Sequence, residues 1–171
     1  MYIISFRGLK EGEHQFEYEI GSTFFEVYPY EEILDADVKV HLKFVKKSTL
    51  LELDFTIEGM VKVACDLSNE IYEQPINGNL DLIVKFGEVY NDENENILIV
   101  PFDAYEIDVS QFIYESIILA LPTKRVHPGV QDGTLKSDIL DKLEALKPKE
   151  KNNNIDPRWD TLKGLLTDKK T

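Results

Sequence analysis

The sequence has one cysteine, Cys65, among its 171 residues. A single thiol cannot form an internal disulfide, so the chain does not belong with the small secreted proteins that depend on such bonds. It also lacks the run of about eighteen apolar residues that a transmembrane helix requires. The first residues, MYIISFRGLKEGE, have no basic flank, long apolar stretch or small-residue cleavage site, as a signal peptide would. These absences predict a cytoplasmic protein that does not span a membrane.

Motifs for catalysis and for cofactor binding are missing as well. The sequence has no glycine-rich phosphate loop, no nucleophile elbow and no pair of histidines at helical spacing. Asp103, Glu106 and Asp108 alternate along a strand edge and do not form a cluster that would bind Mg²⁺. The histidines lie far apart in different kinds of segment: His14, His41 and His127. We therefore expect no enzymatic activity, no cofactor and no metal ion.

Basic residues are scarce, with 19 Lys and Arg against 32 Asp and Glu and a net charge of −13 at pH 7. The imbalance is uneven, because residues 124–171 hold 11 basic and 8 acidic side chains while residues 1–123 have a net charge of −16. Nucleic-acid binding depends on neutralising phosphates with Lys and Arg. The acidic part is thus expected to repel RNA and to attract a basic protein. Solubility explains the same charge equally well.

Apolar and polar residues alternate with a period of two, which predicts half-buried β-strands. The second and third predicted strands should pair as a hairpin, with basic side chains facing Glu52, Asp54 and Glu58 across the solvent face. Gly59 should permit a bend, so that MVKVACDL forms a separate strand. An acidic turn, NDENEN, should separate the last two strands. In order, the predicted strands are HQFEYEI, VKVHLKF, LLELDFTIEG, MVKVACDL, GNLDLIVKFGEVY and ILIVPF.

The period changes to that of a helix at residue 110. In VSQFIYESIILALP, Ser110 is a good N-cap and Pro122 a stop, which predicts a helix over 110–121 packed on the sheet. A short helix capped by Ser22 is expected in GSTFFEVYPY. TLKSDILDKLEALK has the apolar stripe of an amphipathic helix. After a linker, a last helix should begin with Asp156 and Pro157 and place three apolar side chains on one face: Trp159, Leu162 and Leu166.

These elements predict an α+β fold with a mainly antiparallel curved sheet or open β-barrel, one packed helix and a helical C-terminal extension. The acidic β-rich domain should cover residues 1–123, and the mildly basic extension residues 124–171. Cys65 is in phase with Val61 and Val63 on a predicted strand, which favours a small buried residue over a reactive thiol. Its sequence neighbours, Ala64 and Asp66, would not lower its pKa.

Three segments together resemble one protein family. They are FDAYEIDVSQFIYESIILALPTKRVHP, VKVACDLSNEIYEQPINGNLDLIVKFGE and the terminal DPRWDTLKGLL. The combination resembles the YceD family, also called DUF177, the large ribosomal RNA subunit accumulation proteins. The RVHPG that follows the helix is similar to the branch found in Bacteroidetes-like bacteria. The resemblance implies a non-enzymatic ribosome biogenesis factor that supports accumulation of large-subunit ribosomal RNA.

The chain departs from this family at a site that looks like a zinc site in many relatives. Those relatives have a Cys-x-x-Cys turn and further cysteines after the helix. Here Ser68 stands where those relatives have the second cysteine after Cys65. After Pro122, only His127 remains as a possible ligand. A structural zinc site needs four ligands, so we expect no zinc.

The expected partner is a basic large-subunit ribosomal protein or a pre-ribosomal particle, which the acidic sheet would contact through Glu52, Asp54 and Glu58. Lys124, Arg125 and His127 form a small basic group that either binds the partner or balances nearby carboxylates. The terminal helix either docks on its own domain or captures the partner, and its anchors would be Arg158, Trp159 and Leu162. Direct binding of ribosomal RNA through the basic extension is the alternative function.

Overall fold

The structure, a computed structural model, describes residues 2–94 and 96–146. The eight strands of this part are β1 (Ile3–Ile4), β2 (Gly12–Ile20), β3 (Asp35–Lys46), β4 (Leu50–Ala64), β5 (Ile71–Gly87), β6 (Asn91–Asn94), β7 (Ile97–Pro101) and β8 (Ile107–Asp108). The helices are α1 (Ser22–Val27), α2 (Ser110–Ala120), α3 (Pro128–Gln131) and α4 (Asp138–Leu146), with a 3-10 turn at Phe6–Gly8. The α+β class is confirmed.

Six strands form one sheet in the order β2-β3-β4-β5-β7-β6, and β1 pairs with β8 in a separate two-stranded sheet. Neighbours in the large sheet are antiparallel except β5 and β7, which run parallel. The sheet is open, because β2 and β6 are its two edges in the described part of the chain. The mainly antiparallel sheet is therefore confirmed, without closure into a barrel.

The core lies on one face of this sheet, where the predicted alternation places the apolar side chains. All the inward residues predicted for the central hairpin are buried: Val38, Val40, Leu42, Phe44, Leu51, Leu53, Phe55 and Ile57. Helix α2 covers the same face and contributes Ile113 and Ile117 to the core. The helix comes close because Gly78 of β5 has no side chain, and a Cβ there would lie 3.4 Å from the Ala120 Cβ.

The structure corrects several predicted element boundaries. Strand β4 continues through Gly59 to Ala64 because β3 and β5 flank it along this length, so MVKVACDL is not a separate strand. Part of the predicted acidic turn forms the edge strand β6, since it pairs with β7. Val109 and Gly21, rather than Ser110 and Ser22, occupy the N-cap positions of α2 and α1, and neither position has a side-chain capping hydrogen bond.

Residues 1–135 form one compact unit and the chain from Lys136 onward a second. The predicted boundary between residues 123 and 124 stays a prediction. The amphipathic segment forms α4 in the second unit. The predicted terminal helix of Asp156 and Pro157 lies outside the described residues. No helix in the described ranges is long and apolar enough to cross a membrane.

Candidate partner-binding surface

The face of the large sheet opposite α2 is rich in carboxylates, and we call it the outer face. It follows from strand alternation, because every second residue of β2, β3, β4 and β5 points away from the core. Its acidic members are Glu13, Glu17, Glu19, Asp35, Asp37, Glu52, Asp54, Glu58, Glu73 and Asp81; its lysines are Lys39, Lys43, Lys62 and Lys85. Acidic side chains therefore outnumber basic ones on this face.

The predicted hairpin is confirmed, and basic side chains face acidic ones in it, since Lys39 lies opposite Glu58 and Lys43 opposite Asp54. The ion pairs of the outer face are arranged differently. Lys43 forms its pair with Glu13 of β2, with 3.7 Å between Nζ and Oε2. Other pairs join His41 to Glu17, Lys47 to Glu52, and Lys62 to Asp35.

Two of the predicted contact residues, Asp54 and Glu58, have no basic group within 4 Å among the described residues. Asp54 also lies directly opposite Asp81 of β5, and like charges facing each other across strands repel. The centre of the outer face therefore has an excess of carboxylates, two of which make no direct ion pair although Lys39 and Lys43 lie on the neighbouring strand. Such a surface favours the approach of a cationic partner.

The basic side chains that follow α2 are placed elsewhere. Arg125 is only 18% exposed and forms ion pairs with Glu32 at 2.8 Å and with Asp66 at 2.9 Å. Its backbone N–H also donates to Asp66 Oδ2 at 2.7 Å. This N–H, and then the guanidinium charge, hold the pKa of the Asp66 carboxyl below its usual range, despite partial burial. Arg125 thus fastens the segment after α2 to the turn between β4 and β5.

The Cys65 thiol lies at the same junction and is 3% exposed, which confirms the predicted burial. Burial raises its pKa, but hydrogen bonds outweigh this effect and lower the pKa overall; the largest comes from the His127 backbone N–H, and others come from Ser68 and Leu67. The His127 nitrogen lies 3.3 Å from Sγ. Sequence neighbours could not reveal the largest of these hydrogen bonds, because its donor is 62 residues away.

Comparison with known protein families gives one match. Residues 53–166, more than half of the chain, match the family described as Large ribosomal RNA subunit accumulation protein YceD. The chain belongs to this family. No curated protein and no solved structure matches it. The family is named for the accumulation of large-subunit ribosomal RNA and not for a catalysed reaction. The more specific Bacteroidetes-like branch stays a prediction.

The zinc site expected in many members of the YceD family does not fit the residues of this chain. Cys65 is the only thiol, Ser68 takes the place of a second cysteine, and His127 Nδ1 already accepts the Gly129 N–H at 2.9 Å. No three His, Cys, Asp or Glu residues in the described ranges are grouped so that they could hold a metal ion. The hydrogen bonds to sulfur and the Asp66–Arg125 ion pair join the two loops instead.

The structure brings the predicted site residues together only in part. Glu52, Asp54 and Glu58 share the outer face, as expected from their strand. Arg125 and His127 are engaged in contacts within the protein, and Lys124 is exposed beside them. The predicted anchors of the terminal segment lie outside the described residues: Arg158, Trp159 and Leu162. The roles of all these side chains in binding a partner stay predictions.

Proposed function

We propose that this protein supports accumulation of large-subunit ribosomal RNA by binding a basic ribosomal protein, alone or within a pre-ribosomal particle, in the cytoplasm. The family supports the ribosomal role. The acidic outer face supports the choice of a basic protein over RNA. A surface with an excess of carboxylates attracts Lys-rich and Arg-rich polypeptides, and it repels the phosphates of nucleic acid by the same interaction.

The unpaired carboxylates at the centre of the outer face are the observation that most supports this proposal. Asp54 and Glu58 lie on β4, a strand with neighbours on both sides, so their spacing is set by a rigid scaffold. A rigid array loses little conformational entropy when a partner binds. Electrostatic attraction of this kind mainly increases the association rate and weakens as salt is added.

Other predicted contacts have a secondary place in the proposal. Lys124 is exposed and could contact an acidic group of the partner or a nearby phosphate. Arg158, Trp159 and Leu162 would anchor the partner, because Trp and Arg are favoured at the centres of protein interfaces. Arg125 is excluded from this role in the proposal, since its guanidinium already binds two carboxylates.

Affinity capture from cell lysate tests the proposal. The tagged protein should recover a basic large-subunit protein at moderate salt. The triple variant Glu52→Lys, Asp54→Lys and Glu58→Lys should recover at least about tenfold less of that protein. A matched control makes three reversals away from the outer face, at exposed positions: Glu26→Lys, Glu31→Lys and Asp103→Lys. It has the same net charge as the test variant and should capture the partner normally.

Equal loss in both triple variants would show that net charge alone matters and would contradict the proposed surface. The RNA-binding alternative predicts a different result. Ribosomal RNA would be recovered with the full chain and would be absent from the capture with a protein lacking residues 124–171. At the level of the cell, deletion of the gene should change the sizes and amounts of large-subunit RNA precursors. An unchanged precursor profile would contradict the ribosomal role itself.

A further inference from the structure

The side of the protein opposite the outer face has a cleft between β7 and the first turn of α2. Its volume is about 300 Å³. Tyr28, Tyr90 and Phe112 contribute aromatic surface to its walls, and Glu106 and Asp108 contribute the carboxylates. A second cleft of about 330 Å³ lies next to it, between α1 and β1.

A hydrogen-bonded partition separates the two clefts, because both are lined by Tyr28, Asp108 and Ser110. The Tyr28 hydroxyl lies 2.7 Å from Ser110 Oγ. Ser110 Oγ donates to Asp108 Oδ1 at 2.5 Å, and the Ser110 backbone N–H donates to the same oxygen at 2.9 Å. The side chains of the partition are therefore held in place before any ligand arrives.

The charge of both clefts has one sign. Neither is lined by Lys or Arg in the described part of the chain, and every charged lining residue is a carboxylate. Burial raises the pKa of Tyr90, and the nearby carboxylates of Asp92 and Glu115 raise it further. The carboxylates of Asp92 and Glu115 therefore add to the negative charge that Glu106 and Asp108 contribute to the cleft.

Large aromatic side chains are also exposed beside the cleft. Phe102 is 65% exposed and Tyr105 is 58% exposed, and both belong to the turn that supplies Pro101, Ala104 and Glu106 to the cleft. Exposed aromatic residues around a concave site are typical of protein-binding surfaces, where they supply contact area at a low entropic cost.

We infer that this cleft binds a Lys or Arg side chain from an extended basic segment of a protein partner, with a neighbouring apolar side chain of that segment seated on Phe102 or Tyr105. The apolar stem of Lys or Arg suits the aromatic walls, and its cationic head suits the tyrosine faces and the carboxylates. The identity of this partner as a ribosomal protein rests on the proposed function. The cleft would then be a second contact, on the face of the sheet opposite Asp54 and Glu58.

Nuclear magnetic resonance on the full, ¹⁵N-labelled chain tests this inference with a defined probe. The probe is the peptide acetyl-Arg-Leu-Arg-Leu-Arg-amide, and the control peptide has Glu in place of each Arg. The Arg peptide should shift the amide signals of Ala104, Gln111 and Phe112 in a saturable way, and the Glu peptide should not. Glu106→Lys should weaken this binding about tenfold. The matched control Glu31→Lys changes the net charge equally at an exposed position that lines neither cleft, and it should bind normally.

Shifts spread evenly over the acidic surface, or equal weakening in Glu106→Lys and Glu31→Lys, would overturn the inference. So would simultaneous movement of the amide signals of residues 147–171, because the occupant of the cleft would then be the protein's own C-terminal segment.

The outer-face triple variant should still bind the peptide in the cleft. If the Arg peptide does not bind in the cleft although partner capture depends on the outer face, this inference fails and the proposed function stands. If the peptide binds in the cleft while no ribosomal protein is captured, the cation site is supported and the proposed function fails.

Discussion

At the scale of single residues, Asp66 and Arg125 show how one ion pair can change the interpretation of a basic group in the sequence. Lys124, Arg125 and His127 look like a patch available to a partner when only the sequence is considered. In the folded protein the Arg125 guanidinium lies between Glu32 and Asp66. The His127 ring accepts a backbone N–H at the start of α3. Of the two sequence-based explanations, the balancing of nearby carboxylates therefore agrees with the contacts of Arg125.

The lowered pKa of Asp66 predicts a pH-dependent stability. A carboxyl group whose pKa is lower in the folded state stabilises the protein above its unfolded-state pKa of about 3.9, and this contribution is lost as the pH falls through the folded-state pKa. Asp66→Asn should therefore lower the free energy of unfolding by about 1 kcal/mol at pH 7, a modest value because the pair is partly solvent-exposed. The difference from the wild type should be constant above about pH 5 and should shrink as the pH falls below the unfolded-state pKa.

Urea denaturation of both proteins at several pH values measures this effect. Asp103→Asn is the control, because Asp103 is exposed and has no ion pair in the described part of the chain. Its free energy of unfolding should match the wild type at each pH. A constant difference between Asp66→Asn and the wild type from pH 7 to pH 3 would contradict the role given to the charge.

At the scale of elements, β4 is the central support of both faces. It pairs with β5 over its whole length and with β3 from Leu51 to Lys62. Its inward residues build the core, and its outward carboxylates form the proposed contact surface. Gly59 lies within this strand opposite Val38, where the two backbones come close. The glycine therefore allows a close approach between strands and does not end one of them.

Gly59→Ala should be strongly destabilising for this reason. The new Cβ would collide with the Asp37 carbonyl oxygen and lie 2.6 Å from the Val38 Cα, and backbone atoms cannot rotate away as a flexible side chain can. We expect the free energy of unfolding to fall by about 2–3 kcal/mol. Gly8→Ala is the control, since a Cβ at Gly8 would meet no atom within 4 Å. Thermal and urea unfolding measure both variants. A free energy of unfolding for Gly59→Ala equal to that of Gly8→Ala and the wild type would contradict the prediction.

At the scale of the whole molecule, the buried core belongs to the first compact unit. In the described ranges, every buried apolar residue lies between Ile4 and Ile117. Because burial of apolar surface is the main source of folding free energy, residues 1–135 contain what the β-rich part needs in order to fold. The segment that follows α2 belongs to the same unit, and the Leu135 N–H donates to the Gly129 carbonyl oxygen at 2.7 Å.

A chain that ends at Leu135 should therefore unfold in one cooperative transition, with a melting temperature within a few degrees of the full chain's. A chain that ends at Val109 is the comparison, because it lacks α2 and with it Ile113 and Ile117. It should show no cooperative transition. Calorimetry measures both. A broad, non-cooperative transition in the longer fragment would show that the second unit is needed for folding.

The sequence by itself determined the strands of the central hairpin, their inward and outward faces, α2 and the membership of the YceD family. The strands, their faces and α2 depend on patterns within ten to fifteen residues, since strand and helix periods are local properties of the chain. The burial of Cys65 followed from the same alternation. The alternation also placed Glu52, Asp54 and Glu58 on one solvent face, although it could not show which of them would remain unpaired.

Only the tertiary structure decided the parallel pairing of β5 with β7, the continuity of β4 through Gly59 and the engagement of Arg125. It also revealed the cleft, whose walls come from Tyr28, Tyr90, β7 and α2. These contacts join residues far apart in the chain: 59 positions separate Asp66 from Arg125, and 82 separate Tyr28 from Ser110. A local sequence pattern contains no information about such distant neighbours, because chain folding alone brings them together.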